Sequence, residues 1–189
     1  MPTASMPRSV RSLGPGDEVA ARITCCAGNG VDESHRGPPD GLSLSVTVTR
    51  RGHGIVRCVT LPGSSLEVSE VGMGCYAAAG VYGEFDEQSF RNLLRLGHER
   101  GVTLYDTADT YGDGERILGE AVRPFRGEVV VATKVGLTPE GGRDCSPDHI
   151  IRSCEESLNR LDTDYIDLYQ VHYHDPQALV SDTVGALSF

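Results

Sequence analysis

From about residue 55 onward, the sequence alternates short apolar runs with segments whose apolar residues repeat at helical spacing. The apolar runs lie at 71–76, 102–109, 128–135 and 165–172, and the run EVVVATKV (128–135) is apolar on both faces. Strands of that kind are typical of parallel sheets that helices cover on both sides. Strand–helix units at this spacing therefore predict an α/β fold with a parallel sheet of about four strands.

Turn and capping residues place a hairpin and four helices around these runs. Asp86 is expected to begin the first helix, and Ser146 and Pro147 form an N-cap and first-turn pair for the third. The apolar sides of the first three helices are predicted to carry Phe90, Leu93, Leu94 and Gly97, then Ile117, Leu118, Ala121 and Val122, then Ile150, Ile151, Cys154 and Leu158. A fourth helix begins within 182–189, and 55–71 predicts a hairpin.

Residues 1–52 differ from the rest of the chain in composition. They are rich in Gly, Pro, Ser and Arg, and no apolar periodicity persists in them for long. We therefore expect a mostly disordered extension over 1–52 and a folded domain over 53–189. The start of the chain has no apolar stretch of the kind that a secretory signal needs, so we expect a cytoplasmic protein.

Charge and cysteine content narrow the classes of function. The chain has 27 acidic and 17 basic residues, and its net charge of -10 argues against binding to nucleic acid or to an anionic membrane. No apolar run approaches the roughly 20 residues of a membrane span. The six cysteines form no C-x-x-C pair and no histidine cluster has metal-ligand spacing, so we expect reduced thiols and no metal site.

Polar side chains follow three consecutive predicted strands at the points where the strands end. Asp106, Lys134 and His172 occupy these positions, and Tyr111 lies in the loop after the first of the three. Lys134 is the only lysine among the 17 basic residues. Taken singly, these residues have ordinary explanations as loop acids, packed aromatics or surface cations. Because the active site of a (β/α)8 barrel lies at the carboxyl ends of its strands, we expect the four side chains to converge.

These residue types suit the reduction of a carbonyl group. A hydride added to the carbonyl carbon leaves negative charge on the oxygen, and a tyrosine can protonate it if the tyrosine pKa of about 10 is lowered. A neighbouring ammonium lowers that pKa by stabilising the phenolate, and a carboxylate keeps the ammonium charged and oriented. A histidine can donate a hydrogen bond to the same oxygen. We therefore expect Lys134 to lower the pKa of Tyr111.

Four ordered motifs resemble those of the aldo-keto reductase family. They are LPGSSLEVSEVGMG (61–74), DTADTYG (106–112) with GERILGEAV (114–122), VVVATKV (129–135) and DLYQVHYHDP (167–176). The resemblance implies a (β/α)8 TIM barrel that reduces a small-molecule aldehyde or ketone with NADP(H). It also implies a catalytic set of Asp106, Tyr111, Lys134 and His172. His174 is a second candidate for the histidine role, and the motif favours His172.

The stretch GMGCY (72–76) resembles the first cofactor-side turn of the family. The resemblance implies cofactor contacts from Gly74, Cys75, Tyr76 and Asp106, and Cys75 stands where a threonine is common. With Ala77 included, the same stretch also fits the loose G-x-G-x-x-A fingerprint of dinucleotide-binding folds. That fingerprint requires a helix to begin at once, whereas here a second glycine-bearing loop precedes the predicted helix.

A complete barrel of this type takes ~250 residues or more, so we expect this chain to supply a truncated barrel. The expected part is the hairpin, about four parallel strands and three to four helices, with open sheet edges through which chains can self-associate. Two functional classes follow. One is a reductase with weak or no activity alone, and the other is a non-catalytic barrel remnant that acts as an interaction module or has no independent function.

Overall fold

The computed structural model describes residues 56–188, so the extension predicted for 1–52 lies outside the described part of the chain. Strands and helices alternate there as the sequence predicts. The strands are β1 (Cys58–Thr60), β2 (Glu67–Ser69), β3 (Gly72–Gly74), β4 (Leu104–Asp106), β5 (Val130–Val135) and β6 (Leu168–Val171). The α-helices are α1 (Glu87–Glu99), α2 (Gly114–Val122), α3 (Pro147–Leu161) and α4 (Val180–Leu187), and Tyr76–Ala79 and Arg123–Glu128 are 3-10 helices.

The predicted hairpin is confirmed, and it contacts the amino-terminal end of the sheet. β1 and β2 pair in antiparallel fashion, with Cys58 opposite Ser69. The backbone N–H of Ser69 donates to Thr103 Oγ1 (2.8 Å), and the backbone N–H of Thr103 donates to Ser69 Oγ (2.9 Å). These two hydrogen bonds attach the hairpin just before β4, so it leaves the opposite end of the sheet open.

The remaining four strands form one parallel sheet in the order β3-β4-β5-β6. Gly74 pairs with Asp106, Asp106 pairs with Ala132, and Lys134 pairs with Gln170. The carboxyl ends of the four strands therefore meet at one edge of the sheet. This parallel sheet with its helices confirms the predicted fold, because it matches four successive strands of a (β/α)8 barrel.

α1 and α2 each bury the side that packs against the sheet. Asp86 caps α1 as expected, since its carboxylate accepts from the backbone N–H groups of Gln88 and Ser89. In α2 the four apolar residues predicted to face inward are all buried. In α1 the prediction for Leu93 was wrong: its side chain is 49% exposed, whereas Leu94 is fully buried. The hydroxyl of Tyr105 donates to the carbonyl of Leu94, which turns that side of α1 toward β4.

The buried side of α3 also differs from the prediction. Ser146 is the N-cap residue, but its side chain makes no capping hydrogen bond. The buried residues of α3 are Ile150, Ser153, Ser157 and Leu161. Cys154 packs against the core as predicted but is only partly buried, and Ile151 and Leu158, also predicted to face inward, are half-buried. The reason is a close approach of α2 and α3, because a Cβ added at Gly119 would overlap the backbone of Leu161. Small serines suit such a contact better than larger apolar side chains.

Candidate active site

The only lysine of the chain is bonded to the carboxylate at the end of the neighbouring strand. Lys134 Nζ lies 2.6 Å from Asp106 Oδ1 and donates a second hydrogen bond to the carbonyl of Thr107 (2.8 Å). The Lys134 side chain is 13% exposed and that of Asp106 is 39% exposed. Because β4 and β5 are adjacent and parallel, their strand ends place the two groups together.

The tyrosine and the histidine complete the group at the same edge of the sheet. Tyr111 Oη and His172 Nε2 are 3.5 Å apart, and Lys134 Nζ lies 5.0 Å from the centroid of the Tyr111 ring. His172 directly follows β6, where its backbone N–H donates to the carbonyl of Val135 (2.8 Å). The predicted convergence of Asp106, Tyr111, Lys134 and His172 is therefore confirmed. His174 lies in the loop beyond, where its carbonyl accepts from Arg143.

The protonation of this group differs from the expectation in one respect. Burial, with the negative charge of Asp106 next in size, raises the pKa of Tyr111 to about 12, whereas the sequence predicted a lowered pKa. Lys134 does not offset this rise, and its ammonium is bonded to Asp106 and Thr107 and faces the ring of Tyr111. Burial and the ammonium of Lys134 lower the pKa of His172, so its imidazole is neutral at pH 7.

Of the four residues predicted to contact a cofactor, Asp106 belongs to this group, and Gly74, Cys75 and Tyr76 lie beside it but are not equally accessible. Gly74 and Tyr76 are exposed, and a Cβ added at Gly74 would meet no atom within 4 Å. Cys75 is fully buried, and its backbone N–H donates to the carbonyl of Asp106 (2.8 Å). Burial raises the pKa of the Cys75 thiol to about 12, so it stays protonated at neutral pH.

The chain that follows β3 does not satisfy the dinucleotide fingerprint considered from the sequence. A short 3-10 helix, Tyr76–Ala79, follows β3, and the first α-helix begins only at Glu87. Gly80 and Gly83 lie between them with positive φ angles of 73° and 101°. A fingerprint of that type needs an α-helix whose amino terminus directly follows the glycines, and this loop separates the two.

An aromatic wall beside the group was missed by the sequence reasoning. The Tyr76 ring lies 4.8 Å from that of Tyr111 and 6.0 Å from that of Tyr82, while Tyr173 stacks on His172 at 5.0 Å. Tyr82 is 78% exposed. The signal available in the sequence was the occurrence of tyrosines in the loops after the first and last parallel strands. The wall borders Tyr111 and His172 with apolar ring surface.

A polar cluster behind the Tyr111 loop was also missed. Glu115 is 1% exposed and accepts from Thr133 Oγ1 and from Arg160 Nε, both at 2.6 Å. Asp109 places its Oδ1 atom out of contact with water, without a hydrogen-bond partner among the described residues. These residues come from α2, β5, α3 and the loop after β4, so no local sequence pattern predicts the cluster.

Residues 56–188 show neither a metal-binding cluster nor a membrane-spanning helix. Among them, no group of three or more His, Cys, Asp or Glu side chains is arranged to hold a metal ion. None of the helices in this part of the chain is long and apolar enough to span a membrane.

Comparisons with known proteins agree on one family. The sequence profile described as "Aldo/keto reductase family" matches residues 70–188. A probable aldo-keto reductase 1 of Glycine max is 35% identical over 140 residues, which cover 70% of this chain and 40% of that protein. Aldo-keto reductase YhdN of Bacillus subtilis (strain 168) is 37% identical over 132 residues, which cover 66% of this chain and 40% of that protein. This chain thus spans about two fifths of the length of these curated relatives.

Solved structures extend the similarity to three dimensions. The holo form of aldo-keto reductase AKR11C1 from Bacillus halodurans superposes with a TM-score of 0.62 and 34% sequence identity. The match covers 69% of this chain and 45% of that one. The glycerol dehydrogenase AKR11B4 from Gluconobacter oxydans gives a TM-score of 0.57 with 31% identity, over 69% of this chain and 43% of that one.

Proposed function

This chain belongs to the aldo/keto reductase family. We propose that Asp106, Tyr111, Lys134 and His172, here called the strand-end group, catalyse hydride transfer between NADPH and an aldehyde or ketone. One observation carries the proposal. The only lysine bonds Asp106 at 2.6 Å and lies over the ring of Tyr111, whose hydroxyl meets His172 at 3.5 Å. An acid, a cation that can stabilise its conjugate base and a hydrogen-bond donor for the carbonyl oxygen are thereby brought together.

In this proposal, Tyr111 is the proton donor to the carbonyl oxygen. With a pKa of about 12 its hydroxyl is protonated at neutral pH, which is the state a donor needs. As the proton leaves, the positive charge of Lys134, which lies near the ring, stabilises the phenolate. The neutral imidazole of His172 lies at hydrogen-bonding distance from the Tyr111 hydroxyl, so it directs the carbonyl oxygen toward the same point.

The residues beside β3 fit the nicotinamide end of the cofactor. Gly74 leaves open space, Tyr76 offers an exposed ring, and the Asp106 carboxylate is 39% exposed. Gly74, Tyr76 and Asp106 are therefore proposed to hold the nicotinamide and its ribose, and the bound cofactor supplies the hydride. Cys75 contributes by packing behind Asp106, because its side chain is fully buried.

The proposal is tested by NADPH binding and carbonyl reduction with the purified 189-residue chain. NADPH is titrated by its own fluorescence, and NADPH consumption is followed with a panel of aryl and alkyl aldehydes. The chain alone is expected to turn over weakly, and Tyr111→Phe should abolish that turnover and leave NADPH affinity within a few-fold, since only the proton donor is removed. Tyr165→Phe is the matched control, because that tyrosine packs against Arg126 and precedes β6, at the opposite end of the strand from His172. Turnover unchanged in Tyr111→Phe would contradict the proposal.

The second candidate, a non-catalytic interaction module, is favoured by the apolar surface around α4. Leu179 and Val180 are 67% and 64% exposed, and Val180 lines a cavity together with Val184 and with Val171 at the end of β6. A surface of this kind is typical of a protein contact. The same titration separates the two candidates, because the module would show no NADPH binding that depends on Asp106 or Gly74.

A further inference from the structure

Behind the loop that carries Tyr111, the guanidinium of Arg160 contacts two acidic side chains. Arg160 donates to Glu115 through Nε (2.6 Å) and to Ser157 through Nη2 (3.2 Å), and its Nη1 lies 3.7 Å from Glu156. Glu115 is buried, and its second carboxylate oxygen accepts from Thr133 (2.6 Å). Arg160 is thus hydrogen-bonded to one residue of α2 and one of α3, and it pairs with a second carboxylate, which belongs to α3. We name Asp109, Glu115, Glu156 and Arg160 the Arg160 cluster.

Asp109 is the member of the Arg160 cluster with the poorest hydrogen bonding. Its Oδ1 atom is buried without a partner within 56–188, and its carboxyl group accepts from the backbone N–H of Thr110. The groups that face it are Glu115 from α2, Glu156 and Arg160 from α3, and Tyr169 from β6. Burial and then the charge of Glu115 raise the pKa of Asp109 to about 7, against an opposing effect of Arg160.

The backbone around Asp109 connects this cluster to the strand-end group. Asp109 lies between Asp106 and Tyr111, and its backbone N–H points to the carbonyl of Lys134 (3.4 Å). The carbonyl of Thr107 accepts from Lys134 Nζ (2.8 Å), and the backbone N–H of Tyr111 donates to the carbonyl of Ala108 (3.1 Å). A displacement of Asp109 therefore moves the segment 107–111 away from the end of β5.

We propose that Asp109 is a positioning residue, which as a neutral acid keeps the segment 107–111 seated against β5 and on ionisation loosens it. The physical cause is repulsion, because an ionised Asp109 adds a second buried carboxylate beside Glu115, and no group within 56–188 donates to its Oδ1 atom. The catalytic consequence, a Tyr111 less firmly placed as pH rises, rests on the proposed function. The loosening of the segment 107–111 does not depend on the proposed function.

The pH window follows from the direction of the shift. The seated segment binds the Asp109 proton more tightly than an open segment, in which the carboxyl has its ordinary pKa of about 3.9. The stabilisation is therefore complete below about pH 4 and is lost progressively as the pH rises to about 7, above which it stays level. From pH 5 to pH 7 the opening equilibrium of the segment should increase at least about tenfold.

The experiment combines a carboxyl titration with amide hydrogen exchange, and neither needs NADPH or turnover. In the 13C-labelled chain, the Asp109 carboxyl should titrate well above Asp86, whose pKa is lowered by its capping hydrogen bonds. Exchange of the amides of 107–112, corrected for intrinsic rates, should show the tenfold increase in the unmodified chain and lose it in Asp109→Asn. Asp113→Asn is the control, because that exposed acid of the same loop pairs with Arg116 outside the cluster.

Three results would overturn the proposal. They are an Asp109 titration at the ordinary value, the same pH dependence of exchange in Asp109→Asn, and loss of the dependence in Asp113→Asn. If Asp109→Asn does not fold, Glu115→Gln decides, because removal of the neighbouring charge should lower the Asp109 titration midpoint and an unchanged midpoint contradicts the mechanism. A chain that binds no NADPH but shows these titrations would contradict the proposed function and leave the positioning role intact.

Discussion

The ion pair between Asp106 and Lys134 allows a measurement of how firmly the two strand ends are coupled. The perturbation is a double-mutant cycle of Asp106→Asn, Lys134→Met and the combined variant. Methionine keeps most of the length of the lysine side chain without its charge, and asparagine keeps the shape of the aspartate. Each single variant therefore removes the charge interaction while the packing at the ends of β4 and β5 changes little.

The expected coupling energy follows from the geometry. Two unit charges 2.6 Å apart attract by about 1.6 kcal/mol at the dielectric constant of water and by about 6 kcal/mol at an effective value near 20. Lys134 is 13% exposed and Asp106 is 39% exposed, so partial desolvation and solvent screening both reduce the upper figure. We expect a coupling of about 2 kcal/mol, which exceeds the ~0.2–1 kcal/mol of exposed pairs.

The assay is urea unfolding of all four chains, followed by far-ultraviolet circular dichroism, with the coupling taken as the deviation from additivity. Repetition at about 1 M salt distinguishes a partly buried pair, whose coupling falls little, from a screened surface pair. A coupling below about 0.5 kcal/mol would show that the pair is a surface contact. It would then not hold Lys134 beside Tyr111, and the reasoning about the site would be refuted.

Three further predictions concern chemistry, packing and association. In a chain that restores the full-length barrel, Lys134→Met should lower the rate of carbonyl reduction by orders of magnitude. Lys134→Arg should also lower it at least about tenfold, because the planar guanidinium cannot take the same position. Near-normal turnover of the arginine variant would contradict this. Gly119→Ala should reduce the free energy of unfolding, measured by urea titration, by at least about 2 kcal/mol, because its Cβ would overlap the backbone of Leu161. The control Gly127→Ala should change it by less than about 0.5 kcal/mol, because no atom lies near a Cβ at that position. The 189-residue chain should self-associate through its sheet edges and α4, so its mass by light scattering should rise with protein concentration. The double variant Leu179→Lys, Val180→Lys should weaken the self-association. A mass that stays at the monomer value would contradict the prediction.

The sequence predicts the parallel sheet and the strand-end group because both follow from local patterns. EVVVATKV is apolar on both faces, and Asp106, Lys134 and His172 each lie at or near the carboxyl end of a run whose direction a parallel sheet fixes. The orientation of α3 did not follow, since the buried Ser153 and Ser157 are selected by the close approach of α2 and α3. A helical period identifies an apolar side, but it does not reveal a neighbouring helix close enough to prefer serine.

The electrostatic state of the site was the least predictable property, because it depends on distances between elements that are far apart in the sequence. The presence of Asp106, Tyr111 and Lys134 in one motif set suggested that the ammonium acts on the phenol oxygen. In the structure the ammonium is instead bonded to Asp106 and to the carbonyl of Thr107, and burial dominates the pKa of Tyr111. The Arg160 cluster was unpredictable for the same reason, since Glu115, Thr133 and Arg160 meet only in the folded chain.

The raised pKa of Tyr111 is compatible with a role as proton donor. A donor must be protonated before the reaction, and a pKa of about 12 ensures this across the neutral range. Lys134 is needed at the moment when charge appears, because only interactions stronger in the transition state than in the ground state accelerate the step. The ammonium lies 5.0 Å from the ring centroid and gains its full attraction only when the phenol becomes phenolate. The contribution of Lys134 should therefore appear in turnover far more than in the resting pKa of Tyr111, which is why the arginine and methionine variants are compared by rate.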